Sequence, residues 1–161
     1  MSELFTEAMA QLAAGVAVVT VRDGRDDLGA TVSALMSVSL EPPLVLVSLA
    51  SAGYLNEVFL RQDRWAASLL SSEQAAIASR FATPGRPSAR LLVAGTPHHR
   101  GEQTGALIIE NGVAALEAET TKVISAGDHT LYLATVLSVP YIGSARHPLV
   151  RLRGRYRSSS S

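Results

Sequence analysis

The chain has 161 residues, 47% of them hydrophobic and 17% charged, which suits a single domain with a sizeable core and excludes a disordered polymer. Fourteen basic residues, 13 of them Arg, balance 14 acidic ones, so no basic field marks a nucleic-acid binder, and with no cysteine, disulfides, cysteine-ligated zinc and iron–sulfur clusters are excluded. No stretch approaches the roughly 20 apolar residues of a membrane span, and the apolar run Leu12 to Val19 follows Glu3 and Glu7 rather than the basic residues of a secretory leader. The expectation is a soluble, cytoplasmic protein without membrane or nucleic-acid partners.

Along the chain, Leu4, Phe5, Ala8, Met9 and Leu12 recur at helical spacing and predict a short amphipathic helix over 3–13. Val16, Val18, Val19 and Val21 form a β-branched run, and the charged turn around Gly24 leads to a second strand from Leu28 to Ala34. Ser37-Val38-Ser39 reads as a polar connection to Pro42-Pro43, and Leu44 to Leu49 as a third strand. A short helix is expected over Tyr54 to Arg61, a strand over Trp65 to Leu70, and a helix from Glu73 to Phe81 capped by Ser72. Residues 83–87 and 96–105 read as loops. Asn111-Gly112 is a turn, after which Leu116, Ala118 and Thr120 alternate with Glu117 and Glu119 as on a half-solvated strand. Gly127-Asp128 opens a strand over Thr130 to Val139 that is apolar on both faces, so a core covers one side and a ligand or partner the other. A last strand spans Leu149 to Arg153. One domain over 1–157 and a disordered tail over 158–161 complete the expectation.

Many strands, few short helices and no alternating βαβ rhythm favour a small antiparallel barrel over a doubly wound sheet. No Gly-x-Ser-x-Gly, Walker or Gly-x-Gly-x-x-Gly motif is present, and the adjacent His98-His99 lack metal-chelating spacing, so no metal is expected.

Three segments carry a resemblance to a known family. They are Ala14-Gly15-Val16-Ala17-Val18-Val19-Thr20 with Gly29 through Leu44, the strand from Trp65 with a helix ending in Arg80-Phe81, and Ala126-Gly127-Asp128-His129-Thr130 with Pro148 through Tyr156. In this order they resemble the flavin reductase-like family, the short reductases of two-component flavin monooxygenases. The resemblance implies a mainly β fold, a split antiparallel β-barrel of Greek-key type with short peripheral helices. It implies hydride transfer from NADH or NADPH to FMN or FAD, a homodimer, and a partner monooxygenase that takes reduced flavin. It also implies that Thr31, Val32, Ser33 and Ala34 run beside the isoalloxazine, and that Ser37 and Ser39 lie near the ribityl chain and phosphate. Ser48, Ala50 and Ser51 would approach the phosphate or adenylate end. His129 would border the nicotinamide pocket as the one catalytic candidate, with Phe81 and Tyr156 as weaker neighbours. A split-barrel oxidase with its own substrate and a non-catalytic flavin-binding barrel stand as alternatives.

The sequence departs from that family's pattern at the loop after the third strand. Where relatives carry Arg or Asn followed by Ser or Thr as phosphate donors, this chain has Ser51-Ala52-Gly53-Tyr54-Leu55-Asn56. Ala134-Thr135-Val136 stands in place of Gly-Glu-Val, and Ala30 in place of a larger apolar residue. The residue types suit the implied chemistry, because hydride transfer between two cofactors needs stacking and dryness rather than a protein nucleophile. Each residue also has a plainer role open to it: Thr31 and Ser33 as a solvated strand face, Ser37 and Ser39 as turn formers, His129 as a structural histidine, Arg80 as a helix C-terminal charge and Phe81 as core.

Overall fold

The structure, a computed structural model, describes residues 1–159. Helix α1 (Ser2–Met9) forms as expected but buries none of its residues. Strands β1 (Ala14–Gly15), β2 (Ala17–Asp23), β3 (Asp26–Val32), β4 (Leu35–Leu40) and β5 (Pro43–Ala50) follow, and α2 (Tyr54–Arg61) leads to β6 (Arg64–Leu69). A 3-10 turn (Ser72–Gln74), α3 (Ala75–Ala82) and α4 (Ala89–Leu92) precede β7 (His98–Arg100) and β8 (Leu107–Ile109). The long hairpin β9 (Ala114–Ala126) and β10 (His129–Ile142), then β11 (Leu149–Leu152) and β12 (Arg155–Ser158), complete the chain.

Seven strands form one antiparallel sheet in the order β3-β2-β6-β9-β10-β5-β4. The sheet rolls up, because residues from β3 at one edge to β5 near the other enclose a common core. Val19, Val32, Val47, Trp65, Ala118 and Tyr132 meet there. Helix α2 crosses from β5 to β6 and plugs one end of the barrel with Leu55, Val58 and Phe59, whose ring packs edge-on against Tyr132. A second core lies outside β2, where Val16 and Val18 meet Ile77, Ala78 and Phe81 of α3 and Leu107 and Ile109 of β8. The split-barrel expectation therefore holds, with peripheral helices on one side.

Several local expectations are corrected. Residues 35–40 form a full strand paired with β5 rather than a polar connection, since a bulge between Ser37 and Ser39 accommodates the polar run. The residue before the 3-10 turn is Ser71, not Ser72, and Gln74 Oε1 accepts its N–H at 3.0 Å. His98 and His99 sit on the short strand β7 rather than in a loop. Glu117 is 2% exposed, because residues 101–108 cover the face expected to be solvated. Beyond Leu149–Leu152 a further strand, β12, runs to Ser158, so the expected tail is ordered at Ser158, while 160–161 lie outside the described residues. No helix among the described residues is long and apolar enough to cross a membrane.

Candidate functional site

The barrel is open along one seam. Strand β4 pairs with the first part of β5, from Leu35↔Val47 to Leu40↔Pro43. The two-residue bend Ser33–Ala34 joins β3 to β4 and is tied to β5 where the Ser48 N–H donates to the Ala34 carbonyl at 3.0 Å. Beyond that apex β3 has no strand partner on its outer side, so it diverges from the end of β5 and the start of α2 as one arm of a V. The α3–α4 loop caps the far part of this free edge: Ser88 Oγ donates to the Asp27 carbonyl at 3.1 Å and Arg86 Nε to the Gly29 carbonyl at 2.6 Å. Backbone polarity alternates along a strand, so Thr31, two residues further, also turns its N–H and C=O to the free edge. Among the described residues, no side chain caps it there.

The structure brings many of the implied site residues to this seam. Ser33 and Ala34 are exposed at the apex, with Ser48 beside them. The cross-strand pairs Ser48↔Leu131 and Ala50↔His129 put His129 on the same outward face. Val32 points into the core, which leaves only its backbone for the site. The Thr31 hydroxyl donates to the Ala78 carbonyl of α3 at 2.6 Å, so its side chain anchors a helix while its main chain faces the seam. Ser51 is held at both ends: its N–H donates to the Asp128 carbonyl and its hydroxyl lies 2.9 Å from Thr130 Oγ1. Phe81 is fully buried behind the seam. A Cβ on Gly29 would stand 2.9 Å from its ring, so glycine is what lets β3 and α3 close. Ser37 and Ser39 lie on β4 beyond the apex, at the other end of β5. Tyr156 belongs to the separate β1-β11-β12 sheet, its ring under the Arg151 guanidinium at 5.0 Å.

The His129 Nδ1 lies 2.7 Å from Asp128 Oδ1, which orients the imidazole and leaves Nε2 without a partner among the described residues. That bond and the nearby ring hold the Asp128 carboxyl below its usual range. Outward from the seam, the faces of β4, β5, β10 and β9 carry Met36, Leu46, Leu131, Leu133 and Ile124. Met36 and Ile124 are exposed and the others only partly buried, while helix packing is concentrated on β2, β3 and β5. The apolar outer face expected for the strand at Thr130 to Val139 is thus present and uncovered.

Two groups that matter here escaped the sequence reading. Arg86, in the 83–87 loop, caps the seam and lines its mouth; its placement between Gly85 and Pro87 is the one local sign of a fixed backbone. Asp27, 1% exposed, is gripped bidentately by Arg100 at 2.8 and 2.9 Å and by Arg90 at 3.2 Å, fixing α4 and β7 against β3. The turn motif around Gly24 gives no hint of it.

An open backbone edge, free hydroxyls on Ser33 and Ser48, bare Ala34 and Ala50, and a flanking imidazole suit a flat heterocycle with carbonyl and ring-nitrogen groups, as a flavin has. Barrel and seam together define a small split-barrel protein with an open cleft along one strand edge. A family model described as the flavin reductase like domain matches residues 9–160, and the chain belongs to that family. It is 38% identical over 155 residues to an NADH-dependent FMN reductase of Streptomyces nodosus subsp. asukaensis, covering 94% of this chain and 82% of that one. It is 35% identical over 157 residues to the reductase component of 4-hydroxyphenylacetate 3-monooxygenase of Thermus thermophilus, covering 98% and 96%. Among solved structures it resembles the flavin reductase component of a bacterial two-component tryptophan halogenase, with a TM-score of 0.90, 28% identity and 98% of both chains covered. An NADH:FAD oxidoreductase of Streptomyces globisporus in complex with NAD and FAD fragments superposes with a TM-score of 0.89 at 29% identity, covering 97% and 91%.

Proposed function

We propose that this chain reduces FMN or FAD with NADH or NADPH, as a homodimer in the cytoplasm, and passes reduced flavin to a separate monooxygenase. Membership of the family over nearly the whole chain carries the assignment. The flavin, when bound, supplies the hydride acceptor. The chain supplies binding and orientation. The Thr31 main chain and the Ser33 and Ser48 hydroxyls hold the ring's polar edge, and Ala34 and Ala50 give room for a flat face. His129, steadied by Asp128, presents Nε2 to the nicotinamide carboxamide. A second copy seated on Met36, Ile124, Leu131 and Leu133 excludes water from the seam. The exposed apolar face of α1, with Leu4 68% and Phe5 63% exposed, supports the same homodimer.

Purified protein given NADH and catalytic amounts of FMN or FAD in air is expected to oxidise the nicotinamide steadily. Tight flavin retention without nicotinamide oxidation would instead point to an oxidase or a non-catalytic flavin carrier.

A further inference from the structure

At the mouth of the V lies a cleft of about 430 Å3 lined by Leu28 and Gly29 on one arm, Gly53 and Tyr54 on the other, and Arg86 and Ser88 across the end. Arg86 is partly buried, and among the described residues no carboxylate lies within ion-pair distance of it. Its Nε–H is spent on the Gly29 carbonyl, and the other four N–H groups of the fork have no acceptor among the described residues. The contrast with its neighbours is sharp. Arg90 and Arg100 share Asp27, Arg61 holds Asp23, and Arg64 holds Glu119. Burial without a counter-charge pushes the Arg86 pKa down, the signature of a cation that lacks an anion. The nearest acidic side chain in the lining is Asp26, which is exposed and whose Oδ1 accepts the Asp27 N–H at 2.8 Å.

We propose that Arg86 is the phosphate anchor of the flavin site, its guanidinium fork binding the phosphate ester of the nucleotide. The proposal rests on the flavin-reductase reading above and names the group that stands in for the donors missing from residues 51–56. A planar fork lining a cleft is the side chain best suited to a phosphate. Placement agrees with this. Gly29, which Arg86 caps, lies two residues from Thr31, roughly 7 Å along the strand, so a ring at the apex and a phosphate at the mouth share one arm of the seam.

The competing location is Ser37 and Ser39. Strand β4 carries them away from the mouth: Ser37 pairs with Val45, six residues or roughly 20 Å along β5 from Ser51. Ser37 there lines an apolar cavity of about 370 Å3 with Ala17, Val45, Leu69 and Leu116, a poor setting for a dianion. One FMN phosphate does not reach both ends.

The test compares FMN with riboflavin, which differ only in the phosphate, by fluorescence titration of the folded protein. Wild type should prefer FMN. Arg86→Met should cut that preference at least about 100-fold, as expected for two charge-assisted hydrogen bonds, while riboflavin affinity stays put. Arg86→Lys, which keeps the charge without the fork, should retain part of it and guards against a Met variant that fails to fold. The affinity ratio within one preparation is independent of the folded fraction. An unchanged FMN preference in both variants overturns the proposal, and so does loss of the preference in Ser37→Ala/Ser39→Ala alone. A raised Michaelis constant for NADH with the FMN preference intact would give the cleft to the nicotinamide nucleotide and overturn it too. Failure of wild type to bind either flavin would overturn the underlying functional reading, a result distinct from the others.

Discussion

At the scale of single residues, the seam depends on side chains whose partners hold them in one orientation. His129 is the clearest case. Its Nδ1 is engaged by Asp128, so the ring presents Nε2 outward beside Ala50. His129→Ala is expected to raise the Michaelis constant for NADH several-fold and to slow hydride transfer partially, with flavin affinity unchanged, because the ring orients a substrate and abstracts no proton. Asp128→Asn should give a weaker version of the same change. Stopped-flow reduction of bound flavin, normalised to folded protein, is the measurement; normal saturation by NADH in His129→Ala would return the residue to a purely structural role. The Gly-Asp-His motif made this pair legible in sequence. Arg86 and Asp27 were not, because their significance lies in which neighbours they lack or share across about 60 residues of chain, and no local spacing encodes that.

Among the elements, β9 shows how an alternating pattern can hide a buried charge. Its inward residues Leu116 and Ala118 join the barrel core as expected. The outward Glu117, however, lies under the 101–105 loop, where it accepts from the Thr104 N–H and hydroxyl at 2.9 and 2.7 Å, the Gln103 N–H at 3.1 Å and the Ser138 hydroxyl at 2.6 Å. A Cβ on Gly101 would collide with this carboxylate, which leaves glycine as the residue that fits. Burial drives the Glu117 carboxyl up, but the Ser138, Thr104 and Gln103 donors outweigh it and the net pKa is lowered. A depressed folded value means that the stabilisation is complete above the unfolded pKa of about 4.3 and is lost as pH falls through the folded value. Glu117→Gln is therefore expected to be less stable than wild type at pH 7 by about 1–3 kcal/mol, and the gap should close toward pH 3. Urea denaturation at both pH values checks this; a gap that persists unchanged in acid would show that the charge contributes nothing. Strand periodicity made β9 itself predictable. The cover over its outer face came from a segment, 96–105, whose polar composition carries no strand signal, which is also why β7 was not legible there.

For the whole molecule, the sheet presents one face that its own helices leave bare. Met36, Leu46, Ile124, Leu131 and Leu133 form it, and the exposed apolar side of α1 adds to the surface in need of cover. Ile124→Glu combined with Met36→Glu should yield a monomer by light scattering with an unchanged circular dichroism spectrum, since both side chains are exposed in the single chain. A dimer that survives both changes would place the contact elsewhere. The seam itself has a consequence for how fast the backbone trades its protons with water. Every other strand of the seven-stranded sheet except β4 is flanked on both sides, whereas β3 has no strand on its outer side, where the Thr31 main chain faces the seam. Its amide should exchange with deuterium far sooner than those of Val18 or Ala30 beside it, and should become protected once FMN fills the V. Residue-resolved exchange with and without FMN would thus map the site without any turnover, and equal exchange at Thr31 in both states would mean that the ring does not lie along β3.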